Sequence, residues 1–137
     1  MARIDHIAIL VRSIPEALPL YTELLGLDAG PPMDLPEQKV RVAFVKTEGS
    51  RIELLEPMSE DSTLARVLKE RGEGLLHICL EVDDIEGMLR HVEGSGVPLV
   101  DRHAWRSPHG LAAFVHPRGF RGVSLELRQY VEGAIRE

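Results

Sequence analysis

Two histidines and two glutamates occupy equivalent positions in a sequence pattern that occurs twice in the chain. The stretch IDHIAILVRSI contains His6, and the stretch LLHICLEVDDI contains His77, which lies 71 residues further along. Glu53 in RIELLEP and Glu126 in SLELRQ are equivalent in the same way, at a spacing of 73 residues. Each half of the chain therefore contributes one imidazole and one carboxylate, which suggests a shared task for the four residues.

These four side chains suit the coordination of a divalent transition metal, because imidazole nitrogens and carboxylate oxygens are common ligands of such ions. Glu53 and Glu126 each lie between two aliphatic residues on a predicted strand. An unpaired carboxylate is costly there unless a cation or hydrogen bonds compensate it. A single strand histidine is more often a hydrogen-bonded structural residue than a ligand. The duplicated placement favours the metal over that structural explanation.

The elements that carry these residues follow the same order in both halves of the chain. Apolar and β-branched residues predict strands over 3–11 and 76–82, each followed by a helix. The internal repeat predicts an α+β fold in which two paired βαβββ modules form a curved mixed sheet around the metal site. We expect one domain over residues 1–137, with a first module over 3–57, a connecting helix over 58–74 and a second module over 75–130.

The first predicted helix begins at a clear cap. Ser13 is the candidate N-cap, Glu16 stands three residues later as in a capping box, and Pro15 lies in the first turn. Pro19 predicts a kink or a later start, because an interior proline removes a helical hydrogen bond. The expected apolar face consists of Ala17, Leu18, Tyr21, Leu24 and Leu25, and Gly26 is expected to end the helix.

The same sequence patterns predict the remaining helices and strands. Within the connecting segment of 58–74, the helical stretch itself is expected to begin at Ser59, with Leu64, Val67 and Leu68 on its apolar face. The second module is expected to contain a helix over 84–95, a short strand near 98–100, a loop over 101–110 and strands over 111–117 and 122–130.

Composition excludes several classes of function. The chain has 137 residues, 44% of them hydrophobic and 28% charged, with a net charge of −6. This acidity argues against a nucleic-acid binder or an anionic-membrane binder, since both need a basic face. The single cysteine, Cys79, cannot form an internal disulfide, and no apolar run approaches the length of a membrane span. The sequence therefore predicts a soluble cytoplasmic protein.

Around the two histidines and two glutamates the chain resembles the vicinal oxygen chelate superfamily, also called the glyoxalase I or bleomycin-resistance fold. The resemblance extends from about Arg3 to Tyr130. Within the superfamily, the motifs are most similar to the methylmalonyl-CoA epimerase family. The similar stretches are DHIAI, LPEQKVRVAFV, RIELLEPMSEDSTLARVL, LHICLEVDDIEGML, PHG and VHPRGFRGVSLEL. The resemblance implies a divalent metal ion (Co, Mn, Ni or Zn) held by His6, Glu53, His77 and Glu126.

The resemblance also implies an activity. The family interconverts the (R) and (S) epimers of methylmalonyl-CoA by removing the α-proton, and Glu53 and Glu126 are then the expected acid/base residues. Leu111 stands where many members have a lysine, so Arg102, Arg106 or Arg118 would have to meet the anionic groups of the acyl-CoA. We predict that His109 and Arg106 bind the substrate. A homodimer is likewise implied.

Three other functions fit parts of the same pattern. Lactoylglutathione lyase could use an identical His-Glu-His-Glu set. An Fe(II) extradiol dioxygenase could use His6, His77 and Glu126 as a facial triad, although Glu53 would then crowd a coordination position. A non-enzymatic drug-binding protein of the same fold needs no metal set and favours an aromatic-lined cleft, whereas aromatic residues make up only 4% of this chain.

Overall fold

The computed structural model describes residues 3–134, which contain strands and helices in the order predicted for a repeated βαβββ module. The first half contains β1 (Arg3–Leu10), α1 (Ile14–Pro19), a π-helical turn (Leu20–Leu24), β2 (Met33–Leu35), β3 (Val40–Lys46), β4 (Arg51–Pro57) and α2 (Thr63–Arg71). The second half contains β5 (Gly74–Glu81), α3 (Ile85–Gly94), β6 (Trp105–Ser107), β7 (Gly110–Val115) and β8 (Leu125–Gln129). Short 3₁₀ turns lie at Pro36–Gln38 and Pro117–Phe120.

The described chain divides into two compact units. The first unit comprises residues 6–76, and the second comprises residues 77–134 together with 3–5. Strands of the first unit lie in the order β2-β3-β4-β1, and strands of the second lie in the order β6-β7-β8-β5. In each unit the last two strands of that order are parallel and the other pairs are antiparallel. The predicted α+β class and the βαβββ repeat are therefore confirmed.

In the first unit a helix packs on each face of the sheet, and each packed face carries an apolar cluster. Leu54 of β4 belongs to a buried cluster that includes Ile14, and Ala17 and Leu18 of α1 pack against this cluster. The next residue, Leu55, points to the opposite face and belongs to a second cluster. The predicted apolar face of α2 covers that second cluster, with Leu64, Val67 and Leu68 packed against it.

The second unit has a more polar sheet. Ile85 and Leu89 of α3 pack with Val115 and Leu127 in its buried cluster. Strand residues alternate between faces, so the neighbours of Leu127 point away from α3. Those neighbours are Glu126 and Arg128, and both are buried. A pair of opposite charges is thus built into the face of β8 that lies away from its helix.

The first helix follows its predicted start but not its predicted apolar face. Ser13 is the N-cap and accepts a hydrogen bond from the Glu16 N–H, as expected. The α-helical geometry ends at Pro19, and a π-turn follows, closed by a hydrogen bond from the Leu25 N–H to the Leu20 carbonyl. Because this wider turn shifts the later residues around the axis, the prediction that Leu24 and Leu25 are buried is wrong. They are 75% and 63% exposed.

Two other boundaries differ from the prediction. Helix α2 begins at Thr63 rather than at residue 59, because the Ser62 side chain caps it by accepting the Ala65 N–H. Residues 98–100, predicted as a short strand, make only an isolated bridge between Leu99 and Val115. The strand β6 lies instead inside the predicted loop, where the positive φ of Gly110 allows Ser107 to pair with it across a tight turn.

None of the helices described in residues 3–134 is both long enough and apolar enough to cross a membrane.

Candidate active site

The first predicted pair lies on the two parallel strands of the first unit. His6 on β1 and Glu53 on β4 approach each other, with 3.5 Å between Nε2 and Oε1. In the parallel ladder Ala8 is the register partner of Glu53, so the histidine precedes that partner by two residues and points to the same face. The His6 side chain is 1% exposed, whereas that of Glu53 is 15% exposed.

The second predicted pair has the same arrangement in the second unit. His77 on β5 and Glu126 on β8 are separated by 3.0 Å between Nε2 and Oε1; Glu126 is buried and His77 is half-buried. Cys79 is the register partner of Glu126, so this histidine also precedes the partner of the glutamate by two residues. The same strand pairing thus produces one histidine–glutamate contact in each unit.

Phenylalanines lie opposite the two glutamates and were missed by the sequence analysis. Phe44 is the antiparallel partner of Glu53, and Phe114 is the partner of Glu126. The Phe114 ring meets the His77 imidazole edge-on, with 5.3 Å between ring centroids and 84° between their planes. An alignment of the two repeats places both phenylalanines at equivalent positions, which is the signal that reveals them.

A buried arginine also contacts the site. The Arg128 guanidinium lies 2.7 Å from Glu126, between Nη2 and Oε2, and both side chains are buried. Burial alone lowers the pKa of Arg128, and the charge and hydrogen bond of Glu126 more than offset this, so the net effect raises that pKa. The sequence signal for this contact is strand alternation, since Arg128 stands two residues after Glu126.

The sequence of the chain matches a known superfamily and, within it, a family of enzymes. Residues 5–114 match the glyoxalase/bleomycin resistance protein/dioxygenase superfamily. The mitochondrial methylmalonyl-CoA epimerase of Bos taurus is 34% identical over 131 residues, which cover 94% of this chain and 75% of that protein. The chain belongs to the methylmalonyl-CoA epimerase family.

Other epimerases are similar to this chain over nearly its whole length. The ethylmalonyl-CoA/methylmalonyl-CoA epimerase of Cereibacter sphaeroides is 35% identical over 137 residues, covering 94% of this chain and 98% of that protein. A variant of Streptomyces coelicolor methylmalonyl-CoA epimerase, solved in complex with 2-nitronate-propionyl-CoA, has a TM-score of 0.83 and 29% identity and covers 95% of each chain. The family resemblance and the isomerase class predicted from the sequence are confirmed.

The two pairs fit the divalent cation expected for this epimerase family. Each pair brings an imidazole nitrogen within 3.5 Å of a carboxylate oxygen in a buried or half-buried position. Nitrogen and oxygen donors in this combination suit divalent transition metals. The donors of each pair are therefore chemically suited to the ion, within each unit.

The predicted substrate-binding residues lie on the hairpin of β6 and β7. Arg106 is exposed on β6, opposite Leu111 of β7. His109 is half-buried in the turn, and its backbone N–H donates to the Ser107 hydroxyl at 3.1 Å. Arg106 makes no ion pair or hydrogen bond with the residues over 3–134, so its charge is available to an anionic ligand.

Proposed function

We propose that this protein interconverts the two epimers of methylmalonyl-CoA. The observation that carries the proposal is the repeated histidine–glutamate contact, present once in each unit of a member of the methylmalonyl-CoA epimerase family. Epimerisation requires that a proton leave the α-carbon from one face and return to the other. A chain that carries two equivalent carboxylates, one in each repeat, supplies two groups for that purpose.

The glutamates are the proposed acid/base residues. Glu53 removes or returns the α-proton on one face, and Glu126 does so on the other. A positioned carboxylate of this kind contributes roughly 10²–10⁴-fold to a proton transfer. The exposed fraction of Glu53 is larger than that of Glu126, which gives its carboxylate more room to approach a substrate.

His6, Glu53, His77 and Glu126 are the proposed ligands of one divalent cation, either Co, Mn, Ni or Zn. The equivalence of the two pairs in the repeated register supports this set. When bound by these residues, such a cation would supply stabilisation of the negative charge that develops as the α-proton leaves. The histidines are proposed as ligands and not as bases, and the Phe114 ring meets the His77 ring edge-on.

His109 and Arg106 are the proposed substrate contacts. The substrate carries a free carboxylate and the CoA phosphates, and the exposed Arg106 guanidinium suits either group. The chain lacks the lysine that many relatives have after His109 and Gly110, because Leu111 occupies that position. An arginine on the neighbouring strand β6 is the nearest replacement in the hairpin register.

The protein is further proposed to be a homodimer located in the cytoplasm. Leu20, Leu24 and Leu25 are exposed in and beside the π-turn, and an apolar surface of this kind favours a homodimer. The lone cysteine, Cys79, is buried and forms no disulfide, which suits the cytoplasm.

Proton exchange at the α-carbon tests the proposed function. Methylmalonyl-CoA is incubated with the purified protein in deuterium oxide and followed by NMR, with and without a chelator. We expect each epimer to lose its α-proton signal and the two epimers to equilibrate, and we expect the chelator to stop both processes. Absence of exchange with every one of the four metals would rule out the epimerase, and turnover of the glutathione hemithioacetal of methylglyoxal would indicate lactoylglutathione lyase instead.

Ethylmalonyl-CoA is a second candidate substrate. The relative from Cereibacter sphaeroides is named for both ethylmalonyl-CoA and methylmalonyl-CoA, and it matches 94% of this chain. One additional methylene in an apolar pocket changes specificity by about 10–200-fold. Comparing kcat/KM for the two thioesters therefore decides which one the protein prefers.

A further inference from the structure

We propose that Arg128 is a positioning residue that fixes the orientation of the Glu126 carboxylate, so that this glutamate presents a single oxygen to the cation. The inference rests on the proposed metal set and adds to it a residue outside the four ligands. It also distinguishes the two glutamates, which the repeat alone makes equivalent.

The two oxygens of Glu126 have different partners. Oε2 accepts a hydrogen bond from Nη2 of Arg128 at 2.7 Å, and Oε1 lies 3.0 Å from Nε2 of His77. A partial rotation of the carboxylate about its terminal torsion would break the first contact, the second or both. The guanidinium therefore occupies one oxygen and leaves Oε1 on the side of the histidine ligand, which favours coordination through one oxygen.

Burial indicates that this arginine has a role other than stability. Arg128 is 7% exposed, and its Nε has no hydrogen-bond partner among the residues that the structure describes. A buried guanidinium with an unused donor is costly, and an aliphatic residue would occupy a sheet position of this kind with less desolvation. Among residues 3–134 the hydrogen-bonded ion pair of Arg128 is with Glu126, so its effect is directed at that carboxylate.

The glutamate of the first unit is held differently. Within residues 3–134 the one basic side chain within 4 Å of the Glu53 carboxylate is His6, with 3.5 Å between Oε1 and Nε2, and the Glu53 side chain is more exposed than that of Glu126. Leu55 occupies the position of the first unit that is equivalent to Arg128. The buried Arg51 of this unit lies two residues before Glu53, and its guanidinium is 4.8 Å from the centre of the Phe44 ring. The Glu126 carboxylate is consequently held by at least one more contact than the Glu53 carboxylate, and it is less exposed.

Cobalt binding tests the role of Arg128 without relying on activity. The variant Arg128→Met keeps an unbranched, apolar but shorter side chain and removes the charge and the donors. Calorimetry measures the affinity of the metal-free protein for Co²⁺, and the visible spectrum of the Co²⁺ protein reports coordination geometry. Loss of a group that orients a metal ligand weakens metal binding by about 10–100-fold. We expect a loss of that size together with a changed spectrum.

Two further variants separate positioning from folding and from net charge. Arg128→Lys retains a cation with a single donor group, and we expect it to recover part of the Co²⁺ affinity and a spectrum nearer to that of the wild type. Arg41→Met removes an arginine whose partners are Asp34 and Glu56 and which contacts none of the proposed ligands. We expect this control to leave both readouts unchanged. Thermal unfolding of the metal-free proteins monitors folding in each case.

The outcomes distinguish the inference from the proposed function. If the wild type binds Co²⁺ and Arg128→Met binds it with the same affinity and spectrum, the positioning role is wrong and the epimerase proposal stands. The same conclusion holds if Arg128→Met does not fold and Arg128→Lys gives a wild-type affinity and spectrum. If the wild type binds no divalent ion, the proposed metal set fails and the role of Arg128 fails with it.

Discussion

Tyr130 and Asp5, which are 125 residues apart in the sequence, are joined by a hydrogen bond of 2.6 Å from the phenol hydroxyl to the carboxylate. Both residues belong to the second unit, although Asp5 lies on β1 directly before His6. The carboxylate of Asp5 is buried, so this bond links the start of the chain to the residue that follows β8.

Removing the phenol hydroxyl should destabilise the protein. A hydrogen bond to a charged group contributes about 1.5–3 kcal/mol to the free energy of unfolding. We expect Tyr130→Phe to lose an amount in that range, measured by urea unfolding. Tyr21→Phe is the matched control, because the Tyr21 hydroxyl makes no hydrogen bond with the residues over 3–134, and it should change the unfolding free energy far less. Equal effects of the two variants would contradict the importance of the Asp5 contact.

Each histidine of the proposed metal set should be needed for metal and for activity together. We expect His6→Ala and His77→Ala to bind less than a tenth of the metal bound by the wild type, in line with the loss of one nitrogen donor. Metal analysis of the dialysed proteins and α-proton exchange measure the two effects. His91→Ala, which changes an exposed histidine on α3, is the control and should retain both properties. A histidine variant that keeps full metal content would remove that residue from the set.

Glutamine variants of the two glutamates should separate metal binding from proton transfer. An amide oxygen remains a potential ligand, but a glutamine side chain cannot accept the α-proton. We therefore expect Glu53→Gln and Glu126→Gln to retain metal and to lose epimerisation by at least 10²-fold. Each should still exchange the α-proton of one epimer with deuterium oxide, and the two variants should favour opposite epimers. Full activity in both would show that neither residue is an obligatory base.

Acid should remove a contribution to stability that comes from Glu86. The Ala104 N–H and the His103 imidazole hydrogen-bond to its carboxylate and lower the pKa of Glu86 from its usual value. A lowered folded-state pKa means that the contribution is present above the unfolded pKa of about 4.3 and is lost as the pH falls through the folded value.

The pH dependence of unfolding measures this contribution. We expect the wild type to be more stable than Glu86→Gln at pH 6, and we expect the difference to shrink as the pH falls below 4. Glu23→Gln removes an exposed charge that makes no hydrogen bond among the described residues, and it serves as the control for a change in net charge. A difference between wild type and Glu86→Gln that grows toward low pH would contradict the assignment.

The repeated placement of histidine and glutamate could be predicted from the sequence, because it depends on the alternation of side chains along paired strands. Alternation along β1 and β4 places His6 and Glu53 on one face, and the same alternation operates in the second unit. The histidine–glutamate contact within each unit follows from this pattern. The predicted module boundaries and the single set of four ligands stay predictions.

The features that the sequence did not reveal depend on local geometry. The π-turn after Pro19 adds a residue to one turn, and a hydrophobic pattern read with a period of 3.6 cannot include such an addition. Strand β6 depends on the backbone conformation of Gly110. The contact of Arg128 was missed because a charged residue near the end of a strand suggests exposure, whereas the neighbouring carboxylate stabilises it inside the protein.

The parallel pairing of β1 with β4, and of β5 with β8, also determines when the two histidine–glutamate contacts can form during folding. His6 and Glu53 are 47 residues apart, whereas the β3–β4 hairpin closes through local bonds between Thr47 and Ser50. Long loops are slow to close, so the local hairpins are expected to precede both contacts. Interactions that form after the rate-limiting step alter the unfolding rate more than the folding rate. An ion bound by these residues would therefore mainly slow unfolding. It would lengthen the lifetime of the native protein while the rate of refolding stays nearly the same.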